Sequence, residues 1–185
     1  FLEFARGRTP TVHLVDPNEV AAKVVDLFKD KAEMAGIRLA FEPQAGVPPA
    51  FMDKEGIHSC LVKLVSNALD ACETSDKPDP EVTIRTRDHG GSLVLEVADT
   101  GTGIDYEIRK KVFTTFFSTK GSGKGTGLGL LTTRKIVQQH GGKVSFESTA
   151  GAGSVFRLEF PHDRLPRPRE TEDNLSQTGD EDGTA

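Results

Sequence analysis

The sequence predicts an α+β fold, a two-layer sandwich in which a mixed, mostly antiparallel sheet carries three main helices on one face. Three observations lead to it. Apolar spacing switches between the two-residue period of strands and the roughly 3.6-residue period of helices, in the order strand, helix, strand, helix, two strands, long segment, helix, two strands. Both strand pairs are joined by glycine-rich connections of hairpin length, His89-Gly90-Gly91 and Gly151-Ala152-Gly153. Residues 113–130, FTTFFSTKGSGKGTGLGL, crowd glycines immediately before a helical pattern. Helices with a single apolar stripe need a second layer to bury it, and a sheet supplies one.

Residues 1–9, FLEFARGRT, read as the end of a helix whose apolar Phe1, Leu2 and Phe4 lack a local partner, so the chain reads as a piece of something longer. Residues 11–15 alternate like a strand. Pro17 then opens a helix to about residue 35, with Asp16 placed to cap it, Gly36 to end it, and Val20, Val24, Leu27 and Phe28 as its buried stripe. Residues 37–41 read as a second strand and 43–49 as a loop. The clearest helix is 53–72. Its apolar face is Ile57, Leu61, Leu64, Val65, Ala68 and Cys72, leaving Ser59, Lys63, Ser66, Asn67 and Asp70 on a polar side. The strands VTIRTRD and SLVLEVAD follow, then a short amphipathic stretch at 106–112, a helix at 126–140 stopped by Gly141-Gly142, and the strands KVSFES and SVFRLEF. The domain division is 1–10 as a connector, 11–160 as the folded unit, and 161–185 as a disordered acidic tail with Leu165 and Leu175 as its sizeable aliphatics.

At 185 residues and 36% hydrophobic content, one ordinary domain with a real core is expected. The formal charge of −5 sits mostly in the tail, where three arginines face seven carboxylates. The remainder is near neutral, which gives no support to nucleic acid or an anionic membrane as the main partner. Cys60 and Cys72 fall in one helix, roughly 18 Å apart at ~1.5 Å per residue, and cannot bridge each other. Reduced thiols in a cytoplasmic setting follow. No apolar run approaches the ~20 residues of a membrane span, and no signal peptide is visible. Whether the parent protein is membrane-anchored is left open.

Gly121, Gly123, Gly125, Gly127 and Gly129 fall within nine positions. A loop this rich in glycine loses much freedom on ordering, so an external ligand is expected to help order it. The backbone amides from residue 126 to 129, at a helix start with partial positive charge, suit a phosphate. A Walker loop is excluded, because Gly123-Lys124 is followed by Gly125 and Ser118 stands where the first glycine belongs. A dinucleotide fingerprint is excluded because the loop follows RKKVFTTFFSTK and no strand. Lys120 and Lys124 flank the loop and suit phosphate charge or plain solvent. Phe113, Phe116 and Phe117 mark either a partner surface or core anchors for the loop.

Asn67, in mid-helix beside Lys63 and Asp70, offers an amide oxygen to a Mg²⁺ shell completed by phosphates and water, or is one member of a solvated face. Asp99 ends a strand before Thr100-Gly101-Thr102-Gly103, where backbone can approach a ligand closely. The plain alternative is a turn aspartate that binds its own backbone. A sharper one is an aspartic-protease half-site, since Asp-Thr-Gly after an apolar strand is its pattern. The five histidines, His13, His58, His89, His140 and His162, show no metal-ligand spacing, and His140 reads as a helix-end residue.

Taken together, the segments resemble the catalytic ATP-binding domain of two-component sensor histidine kinases, in the superfamily that includes gyrase, chaperone and mismatch-repair ATPases. LVSNALDAC looks like the N box, DTGTGI the first glycine box, FTTFFSTK the F box and GTGLGL the second glycine box, in that order over about residues 11–160. FARGR is similar to the end of the dimerisation helix that precedes such domains. The resemblance implies a Bergerat-type sandwich that binds ATP and Mg²⁺. It implies that Asp99 accepts from the adenine amino group, that Gly101 and Gly103 allow close approach, and that Asn67 binds the metal. Asp70, Ile104, Lys120, Gly125, Thr126, Gly127, Leu128, Gly129 and Leu130 would line the nucleotide site, with residues 104–124 as a mobile lid. Ser154 falls where the family usually has a threonine near adenine. Asn67, Lys63 and Lys120 are the candidate catalytic residues.

The implied activity is that of a protein histidine kinase, an ATP-dependent phosphotransferase acting on a histidine of a dimerisation domain absent from this chain. Phe113, Phe116 and Phe117 are the candidate contacts to that domain, and a response regulator is the downstream partner. The full-length protein is expected to be a homodimer and the isolated domain a monomer. Two departures shape the expectation. Lys63 stands four residues before Asn67, where many kinases have asparagine and the ATPases a water-activating glutamate, so ATP hydrolysis should be poor. No histidine lies in a segment resembling the phospho-acceptor helix, so the chain should not label itself. A nucleotide-binding module that has lost phosphotransfer and works through Phe116 and Phe117 is the other reading of the same motifs.

Overall fold

Pro17 fixes φ where a helix's first N–H would have no intrahelical partner, and the helix that it opens, α1, spans Pro17–Met34. Asp16 caps it, its Oδ1 accepting from the Asn18 N–H at 2.9 Å. These features come from a computed structural model that describes residues 10–109, 111–112 and 128–168. Phe113, Phe116, Phe117, Lys120, Lys124, Gly125, Thr126 and Gly127 lie outside the described residues, as do 1–9 and 169–185.

The strands are β1 (His13–Val15), β2 (Arg38–Pro43), β3 (Ala50–Met52), β4 (Glu81–His89), β5 (Ser92–Asp99), β6 (Lys143–Thr149) and β7 (Gly153–Pro161). The helices after α1 are α2 (Lys54–Glu73), α3 (Tyr106–Arg109) and α4 (Leu128–Gln139). The main sheet has the order β2-β4-β5-β7-β6, parallel between β2 and β4 and antiparallel elsewhere, as the sequence predicts for a mixed sheet. The β4–β5 connection is a two-residue turn with Gly90 and Gly91 at φ 62° and 78°, the left-handed pair that a tight hairpin with the natural strand twist demands.

Three expectations need correction. β3 was not foreseen; it pairs antiparallel with β1 as a separate two-stranded ribbon, and three residues are too few for alternation to be read. Leu27 is 59% exposed, because the buried stripe of α1 runs through Val20, Ala21, Val24, Phe28 and Ala32, and Leu27 falls to its side. The folded unit also passes residue 160. Pro161 still pairs with Ser92, a 3₁₀ turn follows at His162–Arg164, and the His162 N–H donates to the Gly91 carbonyl at 2.9 Å.

Helix α2 is the centre of the helical layer, packed between α1 and α4 and over β4 and β5. Ile57, Cys60, Leu61, Leu64, Val65 and Leu69 are its buried face, each of the aliphatic side chains contributing about 1.5–3 kcal/mol by leaving water. Both cysteines are free and buried, and burial pushes the Cys60 thiol up to about 12. The opposite face of the sheet is polar. There a row of charges crosses the strands: Glu42 to Arg85 at 2.6 Å, Arg85 to Glu96 at 3.7 Å, Glu96 to Arg157 at 2.7 Å and Arg157 to Glu147 at 3.2 Å. Cross-strand pairing of opposite charges lets Glu96 stay largely buried without an apolar layer above it.

His140 is more than a helix-end residue. It is fully buried, and its Nδ1 lies 2.7 Å from the Ile136 carbonyl while its Nε2 lies 2.9 Å from the Asp53 amide. A carbonyl can only accept and an amide only donate, so the ring is neutral with its proton on Nδ1. Burial holds its pKa below the ordinary histidine value. The ring thereby ties the end of α4 to the start of α2, and packs edge-on against Phe160 with centroids 6.0 Å apart.

Candidate functional site

Asp99 closes β5 and pairs across the sheet with Ser154 of β7. Its Oδ1 accepts from the Gly101 N–H at 2.9 Å, so it is a turn aspartate binding its own backbone, as the plain reading has it. Burial pushes the Asp99 carboxyl up to about 6, against the N–H groups of Gly101 and Ser154 and the Lys77 ammonium, which all favour the charged form. A carboxylate offers about four lone-pair directions, and two backbone donors leave acceptor capacity for a ligand amino group. Lys77, on the segment between α2 and β4, was not foreseen; nothing in its sequence context distinguishes it from a solvated loop lysine.

The turn is seated directly on α2. The Thr102 N–H donates to the Ala71 carbonyl at 3.2 Å, and a Cβ on Gly101 would stand 2.5 Å from the Ala71 carbonyl carbon. Beyond it, Gly103 has φ 67°, and a Cβ there would stand 2.1 Å from the Thr149 carbonyl oxygen. Two glycines thus let the chain pass between α2 and β6. Cys72, next on the helix, is buried beside this turn; burial first and the Asp99 charge second push its thiol up.

Asn67 lies four residues, one helical turn, before Ala71, and Lys63 one turn before that. All three are half-buried, as is Asp70. The polar stripe of α2 therefore leads from the Asp99 turn along the helix. Helix α4 runs antiparallel beside it: Cys60 Sγ contacts the Thr133 carbonyl at 3.9 Å, and Gly56 abuts Ile136. Extending that register back by one turn sets the first residues of α4, Leu128 and Gly129, opposite Leu64 and Val65, adjoining Lys63 and Asn67. They are the first residues of α4 as described, and the start of a helix is where partial positive charge collects. Leu130 offers only backbone there, since its side chain is in the core.

At the Asp99 end, Ser154 is buried, and its Oγ lies 2.8 Å from Ser148 Oγ on β6. Ser148 in turn accepts from the N–H of half-buried Ile104 at 2.7 Å. The residues present fit a nucleotide with its metal: an acceptor at one end, an amide oxygen on Asn67 of the hard type that Mg²⁺ prefers, and a helix start for phosphate. Among the described residues no cluster of three or more His, Cys, Asp or Glu side chains could hold a metal ion. No helix among them is long and apolar enough to cross a membrane.

A profile of the family described as histidine kinase-, DNA gyrase B-, and HSP90-like ATPase matches residues 52–164. The sensor histidine kinase ZraS of Klebsiella oxytoca is 34% identical over 161 residues, covering 86% of this chain and 34% of that protein. The chain spans about a quarter to a third of the length of such curated relatives. The nucleotide-free catalytic domain of histidine kinase ThkA superposes with a TM-score of 0.71 at 30% identity, over 82% of this chain and 96% of that one. ThkA in complex with response regulator protein TrrA is similar at a TM-score of 0.70 and 27% identity, over 87% of this chain and 45% of that one. Full-length ShkA in complex with AMPPNP gives 0.75 at 27% identity, over 86% and 34%. The chain belongs to the histidine kinase-, DNA gyrase B- and HSP90-like ATPase family, and within it is an ATP-binding catalytic domain of the sensor histidine kinase type.

Proposed function

We propose that this domain binds ATP with Mg²⁺ and transfers the γ-phosphoryl group to a histidine on a dimerisation domain, from which a response regulator is served. The observation that supports this reading is that the Asp99 turn is seated on α2, the helix that carries Asn67 on its polar stripe and packs against α4. In the transfer, an imidazole nitrogen lone pair forms the P–N bond while the bond from γ-phosphorus to its bridging oxygen breaks, that electron pair leaves on ADP, and the proton on the other ring nitrogen passes to solvent or to a base on the dimerisation domain. Asn67 would hold the metal, which supplies neutralisation of the phosphate charge. Asp99 and Ser154 fix the base, and the amides opening α4 take the phosphates. The work is positioning and charge stabilisation, with no covalent step on this chain. Roles for Lys120, Gly125, Thr126 and Gly127 in holding phosphate, and for Phe113, Phe116 and Phe117 in meeting the dimerisation domain, rest on the family resemblance.

A histidine nitrogen attacks with its own lone pair, so no base on this chain has to activate it, whereas an attacking water must give up a proton. Lys63 in place of a carboxylate therefore disfavours water as the acceptor. The chain incubated with γ-labelled ATP, Mg²⁺ and a sensor-kinase dimerisation domain in trans should place acid-labile label on that domain, with none on itself and negligible phosphate release. Brisk Mg²⁺-dependent phosphate release, or stable acid-labile label on this chain, would overturn the proposal.

A further inference from the structure

We infer that Ser148 is a positioning residue for base recognition: it governs whether the Ser154 hydroxyl meets the nucleotide as a donor, and ties that choice to the backbone at Ile104. The inference rests on the reading of Asp99 and Ser154 as the base-binding end of the site.

Ser148 Oγ is buried and touches three groups: the Ile104 N–H at 2.7 Å, Ser154 Oγ at 2.8 Å and the Gly153 carbonyl at 3.2 Å. The amide can only donate and the carbonyl only accept, so the two hydroxyl protons have two arrangements. In one, Ser148 donates to Gly153 and Ser154 donates to Ser148, which leaves Ser154 only lone pairs for a ligand. In the other, Ser148 donates to Ser154 at the shorter distance, and the Ser154 proton is free. Ser154 is the cross-strand partner of Asp99, and its N–H supports the Asp99 carboxylate. A base whose amino group donates to Asp99 presents a ring-nitrogen acceptor next to that amino group. Met directly, that acceptor requires the second arrangement. Ser148 provides it by giving its single proton to Ser154 while its lone pair holds Ile104, the residue leading out of the glycine turn.

A double-mutant cycle on the full chain tests this, with the affinity of AMPPNP read by calorimetry and melting temperature read in parallel. Ser148→Ala should weaken AMPPNP by about fivefold, the order expected for one hydrogen bond. Added to Ser154→Ala it should cost less than about twofold more, because the group that it orients is gone. Ser148→Thr, which keeps the hydroxyl, should restore affinity to near wild type. An analogue with a C–H in place of the ring nitrogen should lose affinity on the wild type and little further on Ser148→Ala. If Ser148→Ala does not fold, Ser148→Cys, of similar volume and weaker donor strength, carries the same cycle. Undiminished affinity in Ser148→Ala, or losses that add fully with Ser154→Ala, would overturn the inference and leave the nucleotide site standing. Failure of the wild type to bind AMPPNP would instead remove the reading on which it rests.

Discussion

Asp99→Asn should lose ATP affinity by on the order of 100-fold while the ligand-free domain becomes more stable at pH 7. Binding falls because a carboxamide can turn a donor toward the adenine amino group, where only acceptors serve. Stability rises for a separate reason. The folded-state pKa of Asp99 is raised from 3.8 to about 6, so its favourable contribution is fully present below pH 3.8 and is lost as pH rises through 6. At neutral pH the ionised group is a cost to the empty fold. At ~1.4 kcal/mol per unit this approaches 3 kcal/mol, and partial solvent screening brings it nearer 2. Asn keeps an acceptor for the Gly101 N–H and carries no charge. Calorimetric affinity and urea midpoints, measured together, check both signs. A residue with a merely structural role would lower both quantities, and that result would remove Asp99 from the site.

Gly101→Ala and Gly103→Ala should each cost about 2–4 kcal/mol of stability, read as a shift in urea midpoint. At Gly101 the added methyl meets the backbone of α2, which has no rotamer with which to move aside. At Gly103 it meets the Thr149 carbonyl oxygen and must also hold φ at 67°, a region that L side chains resist. Gly101→Ala would push the turn off α2 and Gly103→Ala would push it off the end of β6, and each shift would disturb the seat of Asp99. ATP affinity should fall with stability in both, unlike Asp99→Asn, in which the two diverge. Wild-type midpoints for both alanine variants would show that the turn is not clamped as described.

Residues with strong local chemistry were legible in the sequence. Pro17 and Asp16 mark a helix start by fixed φ and a capping oxygen, and Gly90-Gly91 marks a hairpin by its φ preference. Asp99 was legible as a candidate because it stands between an apolar strand and a glycine turn, and the family assignment removes its reading as half of an aspartic protease. What stayed hidden depends on partners far along the chain. His140 meets the Asp53 amide 87 positions away, and Ser148 meets Ile104 across 44. No local pattern marks a histidine or a serine for such a contact. β3 was hidden by shortness, and the exposure of Leu27 by a stripe that one step of register decides.

On this account the Asp99 turn, Asn67 and the opening of α4 would serve one nucleotide with its metal. Titration of the full chain with a non-hydrolysable ATP analogue, with and without Mg²⁺, on wild type and Asn67→Ala, tests it most directly. One site, strengthened by Mg²⁺ in the wild type and insensitive to Mg²⁺ in Asn67→Ala, is the predicted result. Equal Mg²⁺ dependence in both proteins, or no binding by the wild type, would contradict it.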